Sequence, residues 1–229
     1  MTRVIAINGS PRAEKGYTEK ILVPFLEGMR QFAAETEVVY LKPLDIKPCA
    51  GEFICWEKRP GECHINDDMQ ELYPRIKRAE ILVLATPVYI PLPGKMQDFI
   101  NRLMPLLKPY ISYKRGRTRA VFRSDVEIRN MVLVSSCGWW EKGNFATVVR
   151  IAKELASDAS VEFAGALLRP HAGELTRNVQ AAGLVTAAAF TAGREVIQKG
   201  MINRETLDAV AQPLIGAEEF RKDFNGITE

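Results

Sequence analysis

A three-layer α/β sandwich, with a five-stranded parallel sheet between two layers of helices, is the fold that this 229-residue sequence predicts. Three observations carry the expectation. Short apolar, β-branched runs alternate with longer stretches whose apolar residues recur every three or four positions. The strand-like runs are apolar throughout rather than alternating, as strands buried on both faces are. Strand–helix alternation along the whole chain implies right-handed crossovers and a mostly parallel sheet. Five strands suit the spatial order 2-1-3-4-5.

The elements follow in order. Arg3 to Asn8 (RVIAIN) is a short buried strand, and Gly9-Ser10-Pro11 turns the chain. From about Thr18 to Ala34, Ile21, Leu22, Phe25, Leu26, Met29 and Phe32 fall at helical spacing. Glu37 to Leu41 reads as a second strand. An irregular Cys-, Gly- and Pro-containing stretch spans Lys47 to Ile65, and Asn66 or Asp67 can cap a helix to about Arg78. Ile81 to Thr86 (ILVLAT) is the most apolar strand and is placed centrally. Pro93 to Lys108 reads as helix, with Met96, Phe99, Ile100, Leu103 and Leu107 on one face. Met131 to Ser135 is the next strand, Asn144 to Ser157 a helix, and Val161 to Leu168 the last strand. Helices over about Arg177 to Lys199 and Arg204 to Leu214 close the chain. Residues 1–200 are expected to form one domain, carrying a Cys-containing loop at 47–66 and a basic excursion at 108–129, with 201–229 a helical extension.

Bulk properties exclude several classes. Hydrophobic residues are 47% and charged residues 26%, ordinary for a soluble globular chain. A formal net charge of +3 implies no polyanionic partner, so nucleic-acid binding is not expected. No run of about 18 apolar residues occurs, which argues against a membrane span. The N-terminus lacks an apolar signal region and reads as a strand. Four cysteines without an export signal point to a reducing, cytoplasmic setting.

In an open parallel sheet, ligands sit beyond the carboxyl ends of the strands where the strand order reverses. The loops after the first, third and fourth strands should therefore line any site. The first, Gly9 to Thr18, runs into a helix start, where backbone amides with the Ser10 and Thr18 hydroxyls can hold a phosphate, assisted by Arg12. Its spacing matches neither a P-loop nor a dinucleotide fingerprint, so a monophosphate fits better than ATP or a Rossmann-bound NAD. The same residues also suit a plain Ser/Pro turn. The second loop, Thr86 to Gly94, is stiffened by prolines and can bracket a flat ring, or can simply turn the chain into the next helix. The third, Ser135 to Asn144, holds Trp139 and Trp140. One of them can lie over an aromatic cofactor; alternatively one packs under the loop and the other meets a subunit contact.

Taken together, NGSPR with Gly16 and Thr18, TPVYIPLPGKMQDFINR, SSCGWWE and PCAGEFICWEKRPGECHINDDM resemble the NADPH-dependent FMN reductase and iron–sulfur flavoprotein branch of the flavodoxin-like superfamily. The resemblance spans roughly residues 3 to 170. It implies bound FMN, with Ser10, Arg12, Gly16, Tyr17 and Thr18 at the phosphate. It implies Pro87, Val88, Tyr89 and Ile90 beside the ring and ribityl chain, and Cys137, Gly138 and Trp139 at the other edge. It further implies hydride transfer from NADPH or NADH to the flavin, and on to a quinone, free flavin, metal ion or redox protein. An FMN electron carrier served by a ferredoxin-like partner is the alternative. No side chain is assigned as catalytic, because the flavin carries the chemistry. Relatives place FMN near a dimer contact, which implies a homodimer or homotetramer; the apolar stretch Ile90 to Pro109 is the candidate surface.

The Cys-containing loop departs from the iron–sulfur pattern. Cys49, Cys55 and Cys63 stand at the first, third and fourth thiolate positions, but the second is Glu52. A [4Fe–4S] cluster takes four thiolates, so none is expected. Cys137 belongs to another loop, and zinc held by the three cysteines and His64 would lack a CxxC pair. His171 reads as structural. Lys108 to Arg129 holds seven Lys/Arg and two acidic residues and reads as a solvated excursion, or as a contact for the 2′-phosphate of NADPH through Arg115, Arg117 or Arg119.

Overall fold

Strand β1 (Arg3–Asn8) lies inside the sheet, with a neighbour on each side, because both its faces are apolar: from Val4 onward every residue is buried. A computed structural model describes residues 1–114 and 116–226. In it, β1 pairs in parallel with β2 (Glu35–Tyr40) on one side and β3 (Ile81–Pro87) on the other. Strands β4 (Ser112–Lys114) and β5 (Arg117–Arg119) form a separate antiparallel hairpin. Strands β6 (Asn130–Ser136) and β7 (Glu162–Arg169) complete the main sheet, whose order is β2-β1-β3-β6-β7. Counting main-sheet strands alone, this is 2-1-3-4-5, the flavodoxin-like order.

The period-2 alternation of side chains divides the core in two. Val4, Ala6, Val83, Ala85, Val132 and Val134 face α1 (Glu19–Arg30). On the other face, Ile5, Ile7, Leu82, Leu84, Met131 and Leu133 pack on a second helical layer. Between β2 and β3 lie the one-turn helix α2 (Ile54–Glu57) and α3 (Met69–Arg78). Helices α4 (Gly94–Asn101) and α5 (Ala146–Ala159) join α3 in that second layer. After β7 come the short α6 (Glu174–Arg177), the long α7 (Val179–Lys199), and α8 (Arg204–Ala211), with α7 and α8 joining the α1 layer. Helix α9 (Ala217–Gly226) ends the described chain.

The structure departs from the sequence reading at several places. The helix expected over Pro93 to Lys108 stops at Asn101, and Met104–Leu106 form a single 3-10 turn. Pro105 explains this: it lacks the N–H that the helix needs and crowds the preceding turn. The last predicted helix ends at Ala211, ahead of Pro213, and α9 is additional. The excursion at 108–129 is not merely solvated. Arg119 reaches Glu154 and Asp158 on α5, both at 2.8 Å, and Arg117 reaches Glu154 at 3.2 Å. Those two arginines hold the hairpin to α5, while Arg115 lies outside the described residues. Nor is Ile90 to Pro109 an exposed apolar surface. Met96, Phe99, Leu103 and Leu106 are core, and the exposed apolar side chains sit at its two ends, on Tyr89 and Ile90 and on Tyr110 and Ile111.

Among the described residues no helix is long and apolar enough to cross a membrane. Arg102, buried on the α3 side of the sheet, donates to Asp67 Oδ1 at 2.9 Å and to the Lys47 carbonyl at 2.7 Å. Burial alone would raise the Asp67 carboxyl. The Arg102 hydrogen bond, with the Lys47 and Met69 amides, outweighs it and holds the group below the usual carboxylate range.

Candidate functional site

The loops that leave the carboxyl edge of the sheet are tied to one another by hydrogen bonds. Gly9 N donates to Ala85 O of β3 at 2.8 Å, and Val88 N donates to Ser136 O of β6 at 2.8 Å. The hydroxyls of Thr18 and Ser136 lie 2.7 Å apart and buried, joining the first loop to the end of β6. Ser135 Oγ donates to Thr86 O at 2.8 Å. These ties bring the ends of β1, β3 and β6 together as one rim.

Within the first loop the turn is held from below. Ser10 N donates to Asn8 Oδ1 at 2.9 Å, and Asn8 Nδ2 donates to the buried Glu19 carboxylate at 2.7 Å. The other oxygen of Glu19 accepts from Tyr40 OH at 2.6 Å. Burial and the neighbouring Glu19 push the Tyr40 phenol well above its ordinary value, so it stays a donor. This Tyr40–Glu19–Asn8 chain orders the turn, and nothing in the sequence signalled it: the three residues are 11 and 21 positions apart. Ser10 is buried, and its Oγ accepts from Arg12 N at 3.3 Å. At Gly16 an added Cβ would fall 2.6 Å from that Oγ, so the loop closes on the serine only because a glycine stands there. Thr18 opens α1 in helical conformation with its side chain turned to Ser136, so it does not cap the first-turn amides. Arg12 is exposed, with its guanidinium 5.5 Å from the centre of the Tyr17 ring.

In the second loop Pro87 and Val88 are half-buried beside Ser136. Tyr89 N donates to Pro91 O at 3.1 Å, turning the tip back on itself. Tyr89 is half exposed and Ile90 fully exposed, so the tip stands away from the rim. In the third loop Cys137 is buried, and burial pushes its thiol above the ordinary value. A Cβ added to the exposed Gly138 would meet nothing within 4 Å, which leaves open space beside the loop for a flat group. Trp139 is half exposed, its ring 5.7 Å from Phe224 of α9. Trp140 stacks on His171 at 6.0 Å and donates from Nε1 to Ile215 O at 3.0 Å. The two tryptophans therefore divide their roles, one exposed and one packed beneath.

A fourth loop, after β7, completes the rim. Its amides continue the pairing: His171 N donates to Trp139 O at 2.7 Å and Ala172 N to Cys137 O at 2.9 Å. A Cβ at Gly173 would lie 3.8 Å from Tyr17 OH, so this loop also touches the first. The same carboxyl-edge rule that selected the other loops applies to it, and its position after the last strand was the available signal. His171 is buried. Its Nε2 accepts from Leu214 N at 3.0 Å and lies 3.1 Å from Arg169 Nη2, so the proton sits on Nδ1. Burial, then the Arg169 charge, push His171 down to about 4, so it is neutral at pH 7.

The donor chemistry at the rim fits a phosphate and a flat ring: a buried serine hydroxyl, first-turn amides of a helix, an exposed arginine, and an open edge by Gly138. The Cys-containing loop fits its implied group less well. Cys49, Cys55, Cys63 and Glu52 share the wall of a cavity of about 420 Å³. Burial first, then Cys63 and Cys49, push the Cys55 thiol above its ordinary value. Glu52, at the position of the second thiolate, lies 3.0 Å from His64 Nδ1. Among the described residues no three His, Cys, Asp or Glu side chains are arranged to hold a metal ion. This donor set does not fit a four-thiolate cluster.

A family model described as NADPH-dependent FMN reductase matches residues 2–121. An iron–sulfur flavoprotein of Methanocaldococcus jannaschii is 34% identical over 107 residues, covering 47% of this chain and 52% of that protein. One from Archaeoglobus fulgidus is 32% identical over 122 residues, covering 52% and 54%. The chain thus spans about half the length of these relatives. Among solved structures, an NAD(P)H:quinone oxidoreductase from Methanothermobacter marburgensis superposes with a TM-score of 0.60 at 18% identity, over 86% of this chain and 98% of that one. An FMN-dependent NADH-azoreductase from Bacillus anthracis, in complex with FMN, superposes at 0.57 with 16% identity, over 87% and 99%. At such identities these likenesses establish the fold alone.

Proposed function

The chain belongs to the NADPH-dependent FMN reductase family, and on that premise we propose that it is an FMN-binding oxidoreductase drawing electrons from NADPH or NADH. The observation that carries this reading is the rim itself, above all the buried Thr18–Ser136 contact that sets a phosphate-type helix start against the ring-type loop. Ser10, Gly16, Tyr17, Thr18 and Arg12 would hold the phosphate, with Pro87 and Val88 along the ring and Cys137, Gly138 and Trp139 at its far edge. Tyr89 and Ile90 would stand at the mouth. Bound FMN would supply the redox chemistry, accepting hydride from the nicotinamide and passing electrons to a quinone, flavin, metal ion or redox protein. The protein's own part is to fix the phosphate, leave one ring face open and offer main-chain donors to the charge of the reduced form. Residues 1–200 would form the FMN unit and 201–229 its helical extension.

The test is an absorbance spectrum of anaerobically purified protein, followed by titration with NADPH. Bands near roughly 375 and 450 nm that bleach on stoichiometric addition are the expected result. Colourless protein that gains no flavin spectrum with added FMN would refute the reading. A second reading, an FMN electron carrier reduced by a ferredoxin-like protein, would gain support from an intact iron–sulfur cluster such as the relatives' names indicate, and Glu52 at the second thiolate position argues against it. Slow bleaching by NADPH with fast bleaching by a reduced protein donor would select it. Self-association through Tyr89, Ile90, Tyr110 and Ile111, all exposed, accords with either reading. Light scattering should show a dimer or tetramer, and Ile90→Asp should weaken it.

A further inference from the structure

Arg169, the last residue of β7, is fully buried at 0% exposure, and the proposed function gives it no task. Its guanidinium donates to Pro170 O at 2.8 Å, Val210 O at 2.8 Å and Gln212 O at 2.7 Å, with His171 Nε2 at 3.1 Å. Every partner is uncharged: three carbonyls and a neutral imidazole. Glu174, the nearest acidic residue in sequence, is paired with Arg177. Among the described residues no carboxylate lies within ion-pair distance of Arg169, whereas the equally buried Arg102 has Asp67. Burial pushes the Arg169 guanidinium down to about 10, which still leaves it charged at neutral pH. Taking an arginine out of water without a counter-ion costs several kcal/mol, on the order of the worth of several hydrogen bonds. A neutral amide could serve these carbonyls at less cost.

The position suggests what the charge acts on. Arg169 stands opposite Ser136 in the strand register, and its carbonyl accepts from Cys137 N at 2.9 Å. Its partner His171 stacks on Trp140. The guanidinium thus reaches the third loop through His171 and Trp140, on the side where the far edge of the ring would lie. Hydride uptake adds two electrons and one proton, so the flavin ring gains one negative charge. A fixed cation in a poorly screened interior favours that form over the oxidised one.

Resting on the FMN reading above, we propose that Arg169 is an electrostatic positioning residue. It stabilises the reduced, anionic flavin relative to the oxidised flavin, raises the reduction potential, and so suits the protein to acceptors of relatively high potential such as quinones. The test measures the midpoint potential of bound FMN by anaerobic titration against a reference dye. The variants are Arg169→Gln, Arg169→Lys and Gln212→Glu, the last placing a carboxylate in the segment the guanidinium contacts while leaving Arg169 intact. Arg169→Gln should shift the ratio of oxidised to reduced FMN dissociation constants at least tenfold, a fall of about 30 mV for a two-electron couple. Gln212→Glu should act in the same direction, and Arg169→Lys should restore most of the potential. Should Arg169→Gln fail to fold, Gln212→Glu, which keeps Arg169, still decides the matter. A potential unmoved in Gln212→Glu, or lowered as far by Arg169→Lys as by charge removal, overturns the proposal. Wild-type protein that binds no FMN would overturn the function reading as well; FMN that NADPH reduces, at a potential indifferent to these variants, overturns this inference alone.

Discussion

Gly16 has an ordinary extended backbone, φ −80° and ψ 156°, so space and not conformational freedom makes it glycine. Its missing side chain is what lets Ser10 Oγ approach. Gly16→Ala should leave global stability nearly intact and weaken FMN at least tenfold, about 1.4 kcal/mol, by fluorescence titration of apoprotein. His171 supports a prediction on pH. Its folded pKa, about 4, lies below the 6.5 of an unperturbed imidazole. Between those values the unfolded chain binds the proton and the folded chain does not. This stabilising contribution is therefore full above about pH 6.5 and drains away as pH falls toward 4, by on the order of 3 kcal/mol. Denaturant unfolding at pH 7 and 4.5 should show a steeper loss for wild type than for His171→Gln. Equal slopes would mean that the imidazole is charged in the folded state.

At the scale of elements, α1 and α7 cross with almost no side-chain layer between them. A Cβ at Gly28 would fall 2.0 Å from Phe190 O, and one at Gly193 would fall 2.0 Å from Phe25 O. The closeness seats Phe25, Leu26 and Met29 in the core beside Val185, Ala189 and Val196. In an open helix Gly→Ala gains about 1 kcal/mol. At Gly28 the clash with backbone reverses the sign, and Gly28→Ala should lose roughly 2 kcal/mol in urea unfolding. Gly183→Ala, in α7 but facing open space, should instead be neutral or stabilising by up to about 1 kcal/mol. Identical effects at both sites would mean that the two helices sit further apart.

Across the whole molecule, one buried ion pair links segments that the sheet does not join. Arg102 follows α4, while Asp67 precedes α3 and also accepts from Met69 N at 3.1 Å. The pair thus anchors the Cys-containing loop to the helical layer. Both side chains are about 1% exposed or less, so removing one partner strands a buried charge. Asp67→Asn should cost about 3–5 kcal/mol in thermal or denaturant unfolding. A loss below about 1 kcal/mol would mean that Arg102 finds another partner or water.

Much of this was legible from local pattern. Ile81–Ala85, short and apolar throughout, reads as a buried strand, and strand–helix alternation limits the topologies to few. Three of the four loops at the rim were legible because their glycines, prolines and tryptophans are costly where nothing requires them; the loop after β7 was not named. The Tyr40–Glu19–Asn8 chain, the neutral His171 and the uncompensated Arg169 were not, since each depends on residues that meet only after folding. The family match ends at residue 121, before β6, so it does not cover the third and fourth loops. The order of hydrophobic and turn residues along the chain determined the strands, the helices and the edge where a ligand belongs, because periodicity and backbone freedom are local properties. Tertiary structure decided which polar groups are buried, paired or left charged, because desolvation depends on neighbours distant in sequence.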